Sequence, residues 1–175
     1  HNRSFVFTSQ RENAGNLFRY DLDDGGITQM TDLQTRSRPG GCVSQANNAI
    51  YFWHSHQLIE LEIDTLDERV IYEQKGNMAP CGRANPTADG EYLCTHRQEN
   101  IPEGGPSISF AYSRFVEFFE EEPFTQIVRI EVATGKIDVI HEDNRYLGHI
   151  NTSPALPDIL TYCHEGPWAR IDQRI

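Results

Sequence analysis

An all-β fold of four-stranded antiparallel units is what this sequence predicts, and internal repetition is the reason. Three segments can be laid over one another: residues 17–31 (LFRYDLDDGGITQMT), 58–72 (LIELEIDTLDERVIY) and 127–141 (IVRIEVATGKIDVIH). Each is a strand-like run, a polar turn with Asp, Gly or Thr, and a second strand, the pattern of an antiparallel hairpin. A second set precedes them at residues 41–53, 85–96 and 150–164, each a short strand, a polar turn and a strand rich in Ile, Tyr, Phe and Leu. Together the sets give four strands per repeat. The first two hairpins are offset by about 41 residues, close to the period of a propeller blade. The fold class predicted is therefore a β-propeller, in which a radial array of four-stranded blades leaves only short edges.

Taken in order, the first blade begins at its second strand, residues 4–9, and continues into the 17–31 hairpin. The next two blades follow from residues 41 and 85. A fourth opens near Ile150 and stops near its third strand, residues 170–175. That is about three and a half blades, where propellers close with four to eight. Residues 1–175 are expected to be part of a single propeller domain and a contiguous portion of a longer polypeptide. Residues 97–124 break the period with about 25 extra residues, an insertion of the kind that often carries binding functions. Within it, Tyr112, Phe115, Phe118 and Phe119 fall on one face of a short amphipathic helix, with Glu117, Glu120, Glu121 and Glu122 mostly opposite. A binding role and simple packing on a blade edge both remain open for that helix.

Charge excludes some partners. Fifteen Lys and Arg against 26 Asp and Glu give a formal net charge of −11. Nucleic acid is not expected as a partner, because phosphate binding rests on clustered cations. Any site for an acidic ligand must be locally basic. No run approaches the roughly 18 apolar residues of a membrane span, so no membrane partner is expected. Cys42, Cys81, Cys94 and Cys163 form no CxxC pair and lie mostly in or beside apolar strands. They are expected to be structural thiols in a reducing setting.

Seven histidines supply the candidates for a base or for metal ligands. His54 and His56 share a strand face, but two histidines without a third ligand are weak evidence for metal. His96 ends the equivalent strand of the next repeat, beside Arg97, and His141 is expected at the surface of an outer strand. His149, in Leu147-Gly148-His149, opens an inner strand. His164, in Cys163-His164-Glu165-Gly166-Pro167-Trp168, closes the following one. As antiparallel neighbours these strands bring both histidines to the same end of a blade. A catalytic and a structural reading of the pair are both open on these grounds. No GxSxG elbow, P-loop, GxGxxG, HExxH or EF-hand loop is present.

The LGH and CHEGPW runs, with Phe115-Val116-Glu117-Phe118-Phe119 and Val139-Ile140-His141-Glu142-Asp143 before them, resemble the oligogalacturonate lyase family. The resemblance covers most of the chain and is strongest from Phe115 onward. It implies a seven-bladed propeller of about twice this length. It also implies β-elimination on short, often unsaturated, oligogalacturonates from pectin, giving keto-deoxyuronate monomers in the cytoplasm. Such chemistry needs a base for the C5 proton and positive charge against the C6 carboxylate. By resemblance, His149 is the expected Brønsted base and His164 the alternative base or an orienting partner. Arg114 and Arg97 are the candidate carboxylate clamps, since guanidinium binds carboxylate bidentately. An arginine associated with the family near residues 125–127 is unmatched, Gln126 standing close to that position. Mn²⁺ is the implied cofactor. The family's metal-ligand segments find no counterpart, so the ligands are expected beyond Ile175 and residues 1–175 alone are expected to be inactive. The rivals are a non-catalytic TolB-like propeller that binds protein, and a propeller gating a separate hydrolase domain.

Overall fold

Thirteen strands and one short helix make up the computed structural model, which describes residues 3–36, 38–100 and 114–171. The strands form four antiparallel sheets, each from consecutive segments of chain. Sheet one contains β1 (Ser4–Arg11), β2 (Ala14–Asp21) and β3 (Ile27–Gln29). Sheet two contains β4 (Cys42–Ser44), β5 (Ala49–His54), β6 (Gln57–Glu62) and β7 (Glu68–Glu73). Sheet three contains β8 (Met78–Pro86), β9 (Tyr92–Glu99), β10 (Thr125–Glu131) and β11 (Ile137–Asp143). Sheet four contains β12 (Leu147–Thr152) and β13 (Leu160–His164). The helix α1 (Phe115–Glu120) lies between β9 and β10 and buries Phe118. Tyr112, expected on the same apolar face, falls outside the described residues, as do all of residues 101–113. No helix among the described residues is long and apolar enough to cross a membrane.

Side-chain alternation explains how the sheets stack. Successive residues of a strand point to opposite faces, so a strand buried on both faces serves two cores. In β5, Ile50 and Phe52 join Leu17, Met30, Ile59 and Leu61 between sheets one and two. Their neighbours Ala49 and Tyr51 join Leu58, Ala84, Leu93 and Ile130 between sheets two and three. The next strand set repeats the arrangement, with Cys94, Ile127, Leu147 and Ile150 forming the core between sheets three and four. Removing one of these fully buried side chains, Leu93→Ala for instance, would cost about 2–5 kcal/mol.

Polar contacts tie the first strands of sheets three and four together. Asn85 Nδ2 donates to the Ile150 carbonyl at 2.7 Å, and the Thr152 hydroxyl donates to the Pro86 carbonyl at 2.6 Å. The β8–β9 pairing slips between Cys81 and Asn85, and the β12–β13 pairing slips between Gly148 and Asn151. Bulges of this kind bend a strand and re-aim its side chains. Both lie beside the same cleft.

Candidate active site

Arg83 and Asn85 from β8, His96 from β9, Tyr146, and His149 and Asn151 from β12 line one cleft of about 380 Å³. His149 stands in the irregular part of β12 with a φ of 49°, a left-handed conformation that is uncommon for a residue with a side chain. Strain of this kind costs about 1–3 kcal/mol and persists where surrounding structure enforces it. Here the enforcement is visible on both sides, since Leu147 and Ile150 are anchored in the core between sheets three and four. The extra residue between the paired positions is pushed outward, leaving the His149 side chain 69% exposed.

Nε2 of His149 lies 3.1 Å from Oε1 of Glu165, whose side chain is only 6% exposed. Glu165 follows the last residue of β13, and its backbone N–H donates to the Tyr146 carbonyl at 2.9 Å. Its Cγ lies over Gly148, where an added Cβ would meet it at 3.4 Å. A buried carboxylate 3.1 Å from one imidazole nitrogen holds the ring's orientation.

The wall behind these residues is aromatic. Tyr146 meets the His96 ring edge-to-face at 5.9 Å and the Phe118 ring of α1 at 5.4 Å. A Cβ at Gly166 would come within 2.5 Å of the Phe119 ring, so only glycine lets the helix seat there. Arg170 donates to Glu120 at 2.7 Å and closes the same junction. The helix thus packs against the Glu165–Gly166 turn that carries the carboxylate.

His96 is buried, and neither ring nitrogen has a hydrogen-bond partner among the described residues. Burial, reinforced by the neighbouring His149, pulls its pKa from the ordinary 6.5 down to about 4. The ring is therefore neutral near pH 7. Arg83 contributes the cleft's positive charge, and its guanidinium makes no ion pair or side-chain hydrogen bond among the described residues.

Of the residues picked from sequence, His149 lines this cleft and the other three lie elsewhere. His164 is close in backbone terms, since it pairs with Leu147, but its ring faces Asp143 and Tyr162. Arg97 is held by Gln126 at 2.9 Å and by Gln74 at 3.3 Å. Arg114 is the N-cap of α1 and donates to Glu117 at 2.7 Å. His54 ends β5 at the tight turn through Ser55. Sequence reading missed Arg83, which precedes the segment recognised as a repeat, and gave Glu165 no role although it lies in the CHEGPW run. It also offered no metal-ligand set, whereas the fold brings His141, Asp143 and His164 together.

Comparison with known proteins shows the family of the chain. A family model described as oligogalacturonate lyase matches residues 2–175. The chain belongs to the oligogalacturonate lyase family. It is 25% identical over 173 residues to an oligogalacturonide lyase of Pectobacterium atrosepticum, covering 97% of this chain and 43% of that protein. To an oligogalacturonate lyase of Dickeya dadantii it is 27% identical, with the same coverage. A solved structure of oligogalacturonate lyase in complex with manganese shares the fold, with a TM-score of 0.83 at 24% identity over 98% of this chain and 45% of that one. The chain thus spans less than half the length of these lyases.

Proposed function

We propose that this chain is the portion of a pectin-oligosaccharide lyase that carries its Brønsted base. In this reading the four sheets are consecutive blades of a seven-bladed β-propeller, with β4, β8 and β12 as inner strands. The substrate is a short, unsaturated oligogalacturonate, cleaved in the cytoplasm by β-elimination to keto-deoxyuronate monomers. The observation that carries the reading is His149, held in a strained bulge against the buried carboxylate of Glu165 and sharing a cleft with Arg83.

The chemistry follows from these groups. Glu165 holds the proton of His149 on Nε2 and leaves the lone pair on Nδ1, which takes the C5 proton of the uronate. The resulting imidazolium stands 3.1 Å from the same carboxylate. Electrons of the C5–H bond form the C4–C5 double bond, and the glycosidic oxygen leaves C4 with the C4–O bonding pair and takes a proton from water. Arg83 faces the C6 carboxylate, whose negative charge rises as the C5 proton departs. His96, neutral because it is buried, adds no competing cation beside His149.

The residues lining this cleft do not form a cage for Mn²⁺. They include no carboxylate, the neighbouring Glu165 is engaged by His149, and Arg83 supplies positive charge where a cation would bind. A Mn²⁺ ion held by ligands beyond Ile175 belongs to this reading, and it would supply further positive charge to the uronate carboxylate. The TolB-like binding reading gives no reason for a strained histidine on a buried glutamate.

The test uses the full-length protein, unsaturated digalacturonate and Mn²⁺, with products identified by mass. Keto-deoxyuronate is expected from the wild type. Removing the base in His149→Ala should lower release by about 10²–10⁴-fold. In Arg83→Gln the loss should fall mainly on carboxylate recognition and transition-state charge. Undiminished release from His149→Ala would overturn the assignment of the base.

A further inference from the structure

We infer that His141, Asp143 and His164 form a divalent transition-metal site that pins sheet three to sheet four. His141 and Asp143 stand at i and i+2 on β11, the outermost strand of sheet three, so both project to one face. His164 ends β13 in the neighbouring sheet, on the strand face that packs toward sheet three. One ligand atom from each residue lies within 4.8 Å of the other two. These residues come from strands that share no sheet, and none of them lines the cleft that holds His149.

Two features distinguish this cluster from an ordinary surface pair. Nε2 of His164 is buried yet has no hydrogen-bond partner among the described residues, a costly arrangement for a polar atom. Its nearest acidic oxygen, Oδ2 of Asp143, is 3.9 Å away, too far for a hydrogen bond. The spacing suits two ligands on either side of an ion. Bonds of about 2.0–2.2 Å to a tetrahedral cation set ligand atoms roughly 3.3–3.5 Å apart, a distance that small side-chain rotations reach from here.

The rings are also braced. Tyr162 packs against both, its ring 5.5 Å from that of His141 and 5.6 Å from that of His164. Glu142, on the opposite face of β11, is taken by Gln126 at 2.8 Å and does not enter the cluster. Two imidazoles and one carboxylate select Zn²⁺, Co²⁺ or Ni²⁺ over Mg²⁺ or Ca²⁺. Both Asp143 and His164 are about one-third exposed, so water can complete the coordination.

The inference is independent of the lyase reading, and its test does not use activity. Metal-free full-length protein is titrated with Zn²⁺ by calorimetry and with Co²⁺ by visible absorbance, using wild type, His141→Ala and Asp143→Asn. The wild type should bind one equivalent that either variant loses or holds more than about 100-fold more weakly, beyond the effect of losing an outer-shell partner. Equal stoichiometry and affinity in all three would overturn the site. In the wild type alone, Co²⁺ should shift the ring resonances of His141 and Tyr162, which guards against a variant that does not fold. Unshifted rings at saturating Co²⁺ would overturn the inference equally.

Discussion

Replacing His96 by leucine should remove an acid liability from the fold. A buried ring whose pKa is about 4, against 6.5 when unfolded, takes up its proton more readily in the unfolded state. The folded pKa is the lower one, so the stabilising difference is complete above about pH 6.5 and is lost as pH falls toward 4. From those two values, linkage gives almost no effect at pH 7 and a loss of about 2 kcal/mol at pH 5. Leucine has similar volume, no proton to bind and no ring nitrogens to leave unpaired. The assay is denaturant unfolding of full-length wild type and His96→Leu at pH 7 and pH 5. The wild type should lose about 2 kcal/mol more than the variant over that interval. An identical pH dependence in the two proteins would refute the claim that His96 is buried and neutral.

Three further outcomes follow from the same structure. Glu165→Gln should lower kcat by at least about tenfold while leaving His149 in place, because a general base with the wrong orientation or tautomer loses part of its 10²–10⁴-fold contribution; an unchanged kcat would count against this pairing. Gly135 has a φ of 71° and its missing Cβ would fall 2.2 Å from the Ile71 carbonyl oxygen. Gly135→Ala should therefore destabilise the full-length protein by about 1–3 kcal/mol in denaturant unfolding, with a change below half that contradicting the packing. Burial pushes the Cys81 and Cys94 thiols up to about 11, and neither is in a disulfide. Cys81 and Cys94 should resist maleimide at pH 7.5–8 (about three units below those values) until the protein unfolds, as mass-mapped labelling would show.

Much of the fold is legible in the sequence because its signal has period two. The hairpins expected at residues 17–31, 58–72 and 127–141 are β2–β3, β6–β7 and β10–β11. Local alternation and turn chemistry suffice to find them. The short apolar face of α1 is legible for a similar reason, since Phe118 is its buried residue. The site is less legible because it depends on departures from that period. In a regular ladder His149 would share a strand face with Leu147 and hence with His164, which pairs with Leu147. The register shift after Gly148 and the positive φ of His149 break that parity, and the ring meets Glu165 instead. Arg83 lies inside the second irregularity, between Cys81 and Asn85, where no strand pattern marks it. The His141–Asp143–His164 cluster joins two sheets, so no spacing within a single segment reveals it.

The central claim is that His149 takes the C5 proton, and isotopic substitution tests it most directly. Full-length wild type and His149→Ala are compared on unsaturated digalacturonate carrying deuterium or hydrogen at C5, with keto-deoxyuronate followed by mass. The account predicts slower release from the deuterated substrate in the wild type and almost none from His149→Ala with either. Full-rate release from His149→Ala, with the isotope effect retained, would place the base on another residue.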